Sequence, residues 1–166
     1  MTKRTKTGLE LNTENTVSQK HRILFVCLGN ICRSTMAEMV MKYLVSDYGD
    51  QFYIESKGTS NEEEGNGVHY GTVRKLQSVG IPCLPHRASQ MNKKDYDNFD
   101  YIIGMETSNI RNILRITGGD PDGKVSRLLD WTDSPGDIAD PWYTGNFDET
   151  YKGVRKGCEA VLRKLL

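Results

Sequence analysis

The segment "RILFVCLGNICRSTMAEMVMKYL", Arg22 to Leu44, changes its apolar period across a glycine-bearing loop. That change constrains the fold more than any other feature of the chain. Arg22 to Cys27 is a short, unbroken apolar run with β-branched and aromatic members, the pattern of a strand buried on both faces. From Arg33 onward Met36, Met39, Val40, Tyr43 and Leu44 recur at i, i+3, i+4, i+7 and i+8, which is one face of a helix. A doubly buried strand that runs straight into a helix implies a parallel sheet, because helical crossovers are what cover both faces of such a sheet.

The rest of the chain repeats the alternation. Phe52 to Ser56 reads as a strand, Gly71 to Pro82 as a helix stopped by Gly80 and Pro82, and Phe99 to Met105 as another buried strand. Thr107 and Ser108 are expected to cap a helix running to about Thr117, closed by Gly118, Gly119 and Pro121. Lys124 to Leu129 is expected as the last strand. Tyr151, Val154, Cys158, Val161, Leu162 and Leu165 mark one face of a C-terminal helix. Strands alternating with helices predict a three-layer α/β fold, a four-stranded parallel sheet flanked by helices on both faces. Ligands of such sheets bind beyond the C-terminal strand ends, and the loop from Cys27 to Ser34 lies at one of them.

A chain of 166 residues suits one domain with its own core. Residues 1–20 are polar and lack a sustained period, so they are expected to be a disordered tail, leaving 21–166 as the domain. With 22 basic and 22 acidic residues the formal charge is zero, which argues against nucleic acid or an anionic membrane as a principal partner. No stretch approaches the roughly 18 apolar residues of a membrane helix, and the N-terminus lacks the apolar region of a signal peptide. The expected location is the cytoplasm and the expected state a monomer or weak dimer. In that reducing compartment Cys27, Cys32, Cys83 and Cys158 are expected as thiols, and their spacing fits no common zinc pattern.

A helix start presents unpaired N–H groups and the positive end of the helix dipole. A glycine just before it lets the backbone curl until several N–H groups converge into an anion cradle. Arg33 adds a planar fork of donors suited to two phosphoryl oxygens, and Cys27 sits at the base of the loop. The field that holds an oxyanion also stabilises a thiolate, the reactive form of cysteine. A bare C-x5-R spacing is a weak signal. Its place between a buried strand and a helix, with an enclosed glycine and a following Ser34, makes it a strong one.

"VCLGNICRS" resembles the phosphate-binding loop of the low-molecular-weight protein tyrosine phosphatases. "DPWY" from Asp140 to Tyr143, "FDYIIGM" and the F-x-x-x-Y helix from Phe147 match that family in order and spacing, so the resemblance spans 21–166. It implies hydrolysis of phosphotyrosine in protein substrates through a phosphocysteine intermediate, with inorganic phosphate as product and neither cofactor nor metal. By matching position it implies Cys27 as nucleophile, Arg33 as phosphate ligand and Asp140 as general acid. The cradle would run through Leu28, Gly29, Asn30, Ile31, Cys32, Arg33 and Ser34. Asn30 and Ser34 would also support the loop and thiolate, with Ser56 and His86 behind them.

Physical chemistry supports the acid role, because a departing phenolate whose conjugate acid has a pKa of about 10 benefits from a proton donor. Trp142 and Tyr143 are expected to form one wall against the substrate ring. Glu62 stands at or near the opposite wall, where relatives usually carry an aromatic residue. Thr35 and Ser89 also depart from the common pattern. Cys32 is expected to trap an oxidised Cys27 as a disulfide, whereas Cys83 and Cys158 read as structural, and His21 and His69 receive no role. Two other readings share the loop. A protein arginine phosphatase of the same fold carries threonine where this chain has Ile31, and a catalytically inactive module would bind phosphate without turnover. A thioredoxin-coupled arsenate reductase needs two further cysteines that the stretch between Cys83 and Cys158 lacks.

Overall fold

The computed structural model describes residues 20–166. Apart from Lys20, the tail expected over 1–20 lies outside the described residues. Strands β1 (His21–Cys27), β2 (Phe52–Gly58), β3 (Tyr101–Gly104) and β4 (Val125–Arg127) form one parallel sheet in the order β2-β1-β3-β4. The helices are α1 (Arg33–Leu44), α2 (Tyr70–Ser78), α3 (Asp95–Asn98), α4 (Thr107–Thr117), α5 (Pro141–Thr144) and α6 (Phe147–Leu165). The chain leaves β1 on one side to form β2 and returns on the other to form β3, so the strand order reverses at β1. Connections that diverge there open a crevice at the carboxyl end of β1, which is where the loop after Cys27 emerges.

The pleat of β1 divides the core in two. Ile23, Phe25 and Cys27 pack with Met36, Met39 and Val40 of α1, Leu76 of α2, and Val154, Cys158 and Val161 of α6. Leu24 and Val26 face the other way, against Met91, Tyr96, Phe99, Ile102 and Ile113. Burial on both faces is why β1 reads as an unbroken apolar run.

α6 closes on the turn after β4 at a glycine. A Cβ at Gly157 would lie 2.4 Å from Leu128 Cγ, and Leu128 is fully buried. Gly157→Ala is therefore expected to cost about 1–3 kcal/mol through overpacking, read as a lower urea midpoint with an unchanged m-value.

Local differences from the sequence expectations have identifiable causes. In α1 every residue from Arg33 to Met41 is buried, and Tyr43 is exposed instead of facing the core. The helix is packed against β1, β2 and α6, so a one-face stripe understates its burial. The cap of α4 is Glu106, with Thr107 already helical: Asn109 Oδ1 accepts the N–H groups of Met105 and Glu106 at 2.9 and 3.0 Å. β4 stops at Arg127, where the side chain turns back to the Asp130 carboxylate and a short 3₁₀ turn, Leu128–Trp131, begins.

Candidate active site

The loop after β1 is anchored by its carbonyls. Thr59 N–H donates to Cys27 O at 2.9 Å, Ser60 N–H to Leu28 O at 3.0 Å and His69 N–H to Ile31 O at 2.9 Å. The hydroxyls of Thr35 and Thr72 donate to Cys32 O at 3.0 and 3.1 Å. Among the described residues no protein acceptor takes the N–H groups of residues 28–33. Carbonyls tied outward and amides left free are the two halves of an anion cradle.

The backbone turn that makes this possible belongs to Asn30 and not to Gly29. Asn30 has φ 62°, the one non-glycine residue with positive φ among those described, in a region asparagine tolerates better than most side chains. Its amide is fully buried and fully used: Nδ2 donates to Ser34 Oγ at 2.8 Å and Ser56 Oγ at 3.0 Å, and Oδ1 accepts from Ser89 N–H at 3.1 Å and pairs with His86 Nε2 at 3.0 Å. Gly29 makes room, since a Cβ there would stand 3.2 Å from Glu63 Cγ.

Cys27 is 3 % exposed, with Sγ 3.0 Å from Ser34 Oγ and 3.4 Å from Ser34 N. Because Ser34 Oγ already accepts from Asn30, its own proton is free to point at the sulfur. The polar chain continues behind the loop. Ser56 Oγ donates to Glu38 Oε1, Lys42 Nζ lies 2.6 Å from Glu38 Oε2, and His86 Nδ1 lies 3.4 Å from Glu38 Oε1. Glu38 is only 5 % exposed and carries no motif that sequence reasoning could seize; it reads as one polar position in an apolar helix.

Cys27, Leu28, Gly29, Ile31, Cys32, Arg33, Glu62, Glu63, Asp140, Trp142 and Tyr143 line one cavity of about 140 Å³. Asn30 and Ser34 are outside its lining, and Ser56 and His86 line a separate depression behind it. Arg33 is buried, with Nη1 2.9 Å from Ile138 O and 2.7 Å from Glu106 Oε2, and Nη2 3.3 Å from Asp140 Oδ2. Asp140 caps α5, its Oδ1 accepting from Trp142 N–H at 3.0 Å. Arg33 thus ties the start of α1 to the loop that carries Asp140. Cys32 is held as a thiol, its pKa pushed up to about 12 by burial first and by the nearby Cys27 and Asp140 charges next.

His69 acquires a place that the sequence did not reveal. Its Nδ1 accepts from Gly71 N–H at 3.0 Å and caps α2, and its ring stacks on Phe147 at 5.4 Å and meets the Trp142 ring edge-on at 5.6 Å. Sequence reasoning also passed over Glu106. Gly58 is a further support, because a Cβ there would fall 2.7 Å from Leu28 O and 3.2 Å from the Gly29 carbonyl carbon. That backbone is already fixed by Ser60, so Gly58→Ala is expected to displace the loop and lower kcat/KM about 10²-fold, measured with an aryl phosphate.

Fold and site together define a doubly wound α/β protein with a loop of free backbone amides at its switch point. The family profile described as "Low molecular weight phosphotyrosine protein phosphatase" matches residues 22–166. The low molecular weight protein-tyrosine-phosphatase YfkJ of Bacillus subtilis is 39 % identical over 147 residues, 86 % of this chain and 94 % of YfkJ. Its crystal structure superposes with a TM-score of 0.84 over 87 % of this chain and 94 % of YfkJ. SP-PTP, a low molecular weight protein tyrosine phosphatase from Streptococcus pyogenes, is 42 % identical with a TM-score of 0.81, covering 88 % of this chain and 93 % of its own. A drosophila arginine phosphatase, DARP, shares the fold at 27 % identity and TM-score 0.78, over 86 % of this chain and 96 % of its own. The chain belongs to the low molecular weight phosphotyrosine protein phosphatase family.

Proposed function

We propose that this chain hydrolyses phosphotyrosine in protein substrates, that residues 21–166 act as one phosphatase domain, and that Cys27, Arg33 and Asp140 carry the reaction. The observation that carries this reading is the set of free loop N–H groups around a buried sulfur that already accepts hydrogen bonds from Ser34. The phosphoryl oxygens take the N–H groups and the Arg33 fork. Cys27 Sγ then attacks phosphorus in line, the bond from phosphorus to the tyrosyl oxygen breaks, and Asp140 gives its proton to that oxygen. In the second half Asp140, now a carboxylate, takes a proton from water as the water attacks phosphorus; the S–P bond breaks and inorganic phosphate leaves.

Arg33 Nη2 lies beside Asp140 Oδ2. A phosphoryl group competes for that donor and leaves Oδ2 facing the leaving oxygen. The exposed Trp142 and Tyr143 flank the tyrosyl ring. No step calls for a metal or cofactor, because the amides and Arg33 supply the positive charge.

Hydrolysis of matched phosphotyrosine, phosphoserine and phosphoarginine peptides in the presence of EDTA tests the reading. Selective release from phosphotyrosine is expected, whereas preferential release from phosphoarginine would move the chain to the chemistry named for DARP. No release from any peptide would leave an inactive phosphate-binding module.

Cys32 completes the proposal. Peroxide converts the Cys27 thiolate to a sulfenic acid, and the Cys32 thiol attacks its sulfur, forming the disulfide and releasing water. Peroxide-treated wild type is expected to regain activity with dithiothreitol, and Cys32→Ser to regain far less. Equal recovery by both would remove this role.

A further inference from the structure

The cavity has an uneven electrical lining. Among the described residues Arg33 is its sole cationic side chain, against the three carboxylates of Glu62, Glu63 and Asp140. The guanidinium is itself already paired with Glu106 and Asp140. Glu62 and Glu63 stand in the turn after β2, and neither pairs with a cation among the described residues. Glu63 accepts from the neutral Asn66 Nδ2 at 2.8 Å, and Glu62 is exposed. The loop brings them close, since Glu63 Cγ would be 3.2 Å from a Cβ on Gly29. The nearby cation, Arg87, reaches Gly65 O at 2.9 Å and lines the depression behind the loop instead. Trp142 and Tyr143, exposed by 58 and 78 %, stand on the acid-loop side of the same cavity.

A tyrosyl phosphate that enters here brings a dianion past two uncompensated carboxylates. The amides and Arg33 stabilise it at the bottom, but no cation among the described residues pairs with the carboxylates at the mouth. A cation carried by the substrate next to its phosphotyrosine does so, because it comes to rest beside Glu62 and Glu63 while the phosphoryl group is held below. Building on the phosphotyrosine reading, we propose that Glu62 and Glu63 are specificity-determining residues that select phosphotyrosine flanked by lysine or arginine.

The test compares kcat/KM for two phosphotyrosine peptides that differ only in lysine or glutamate flanks. The enzymes are wild type, Glu62→Gln, the Glu62→Gln/Glu63→Gln double variant and the Glu62→Lys/Glu63→Lys double variant. Wild type is expected to favour the lysine peptide about tenfold at low ionic strength, and the preference to shrink as salt screens these charges. The glutamine double variant should bring the ratio within about twofold of unity, the single variant should fall between, and the lysine variant should reverse it. The ratio is the readout, so a uniform change in activity does not disturb it. Equal hydrolysis of both peptides by wild type, or a preference that survives in the glutamine double variant, overturns the proposal while leaving the phosphatase reading intact. Hydrolysis of neither peptide overturns the phosphotyrosine reading, and this proposal with it.

Discussion

Cys27→Ser is expected to abolish turnover, by at least about 10⁴-fold, the scale on which removing a covalent nucleophile acts. Phosphate affinity should persist, because the amides of residues 28–33, the outward-tied carbonyls and the Arg33 pairings do not depend on the sulfur. Serine at this position keeps the hydrogen-bonding neighbourhood of Ser34 but supplies an alcohol where the reaction needs a thiolate. Activity against an aryl phosphate, together with inorganic phosphate binding by calorimetry, separates the two effects. Loss of both would show a collapsed loop, and retention of turnover would exclude Cys27 as nucleophile.

The second large effect falls on Asp140. Asp140→Asn keeps an oxygen that can accept from Trp142 N–H, so α5 should stay capped, but it removes the proton that the leaving oxygen needs. The kcat/KM for a phenyl ester should fall about 10²- to 10⁴-fold, the usual range for a general acid, and much less for an ester whose leaving group is already a weak base. The measurement is a plot of log kcat/KM, which reports the step that expels the leaving group, against leaving-group pKa; it should become steeply negative in the variant. Parallel slopes for wild type and variant would remove the acid role and leave Asp140 as a partner of Arg33.

Much of this is legible in the sequence, for a physical reason. A strand buried on both faces must be apolar throughout, so β1 announces itself, and the change to helical period at Arg33 locates the loop. The positions of Cys27, Arg33 and the Asp-Pro turn follow from local chain chemistry and from a motif resemblance. What escaped depends on contacts between distant segments. Asn30 rather than Gly29 takes the left-handed turn because Ser56, His86 and Ser89, from two other segments, saturate its amide. Glu38 is one carboxylate in an apolar helix until Ser56, Lys42 and His86 are brought to it. His69 has no periodicity of its own, and its value lies in meeting Ile31 O, Phe147 and Trp142 together. The cap of α4 slipped by one residue because Asn109, inside the helix, reaches back to Glu106. Tyr43 turned outward because α1 is enclosed on several sides along its first nine residues, a condition that no single-face pattern encodes.

The central claim is a covalent phosphoryl group on Cys27, and the most direct measurement is acid quenching of the enzyme during turnover of a phosphotyrosine peptide, followed by peptide mass mapping. The account predicts one phosphoryl group on the peptide that contains Cys27, absent from Cys27→Ser and longer-lived when the water-activating carboxylate is removed in Asp140→Asn. A phosphoryl group on any other residue, or turnover with no phosphoenzyme in either the wild type or Asp140→Asn, would contradict it.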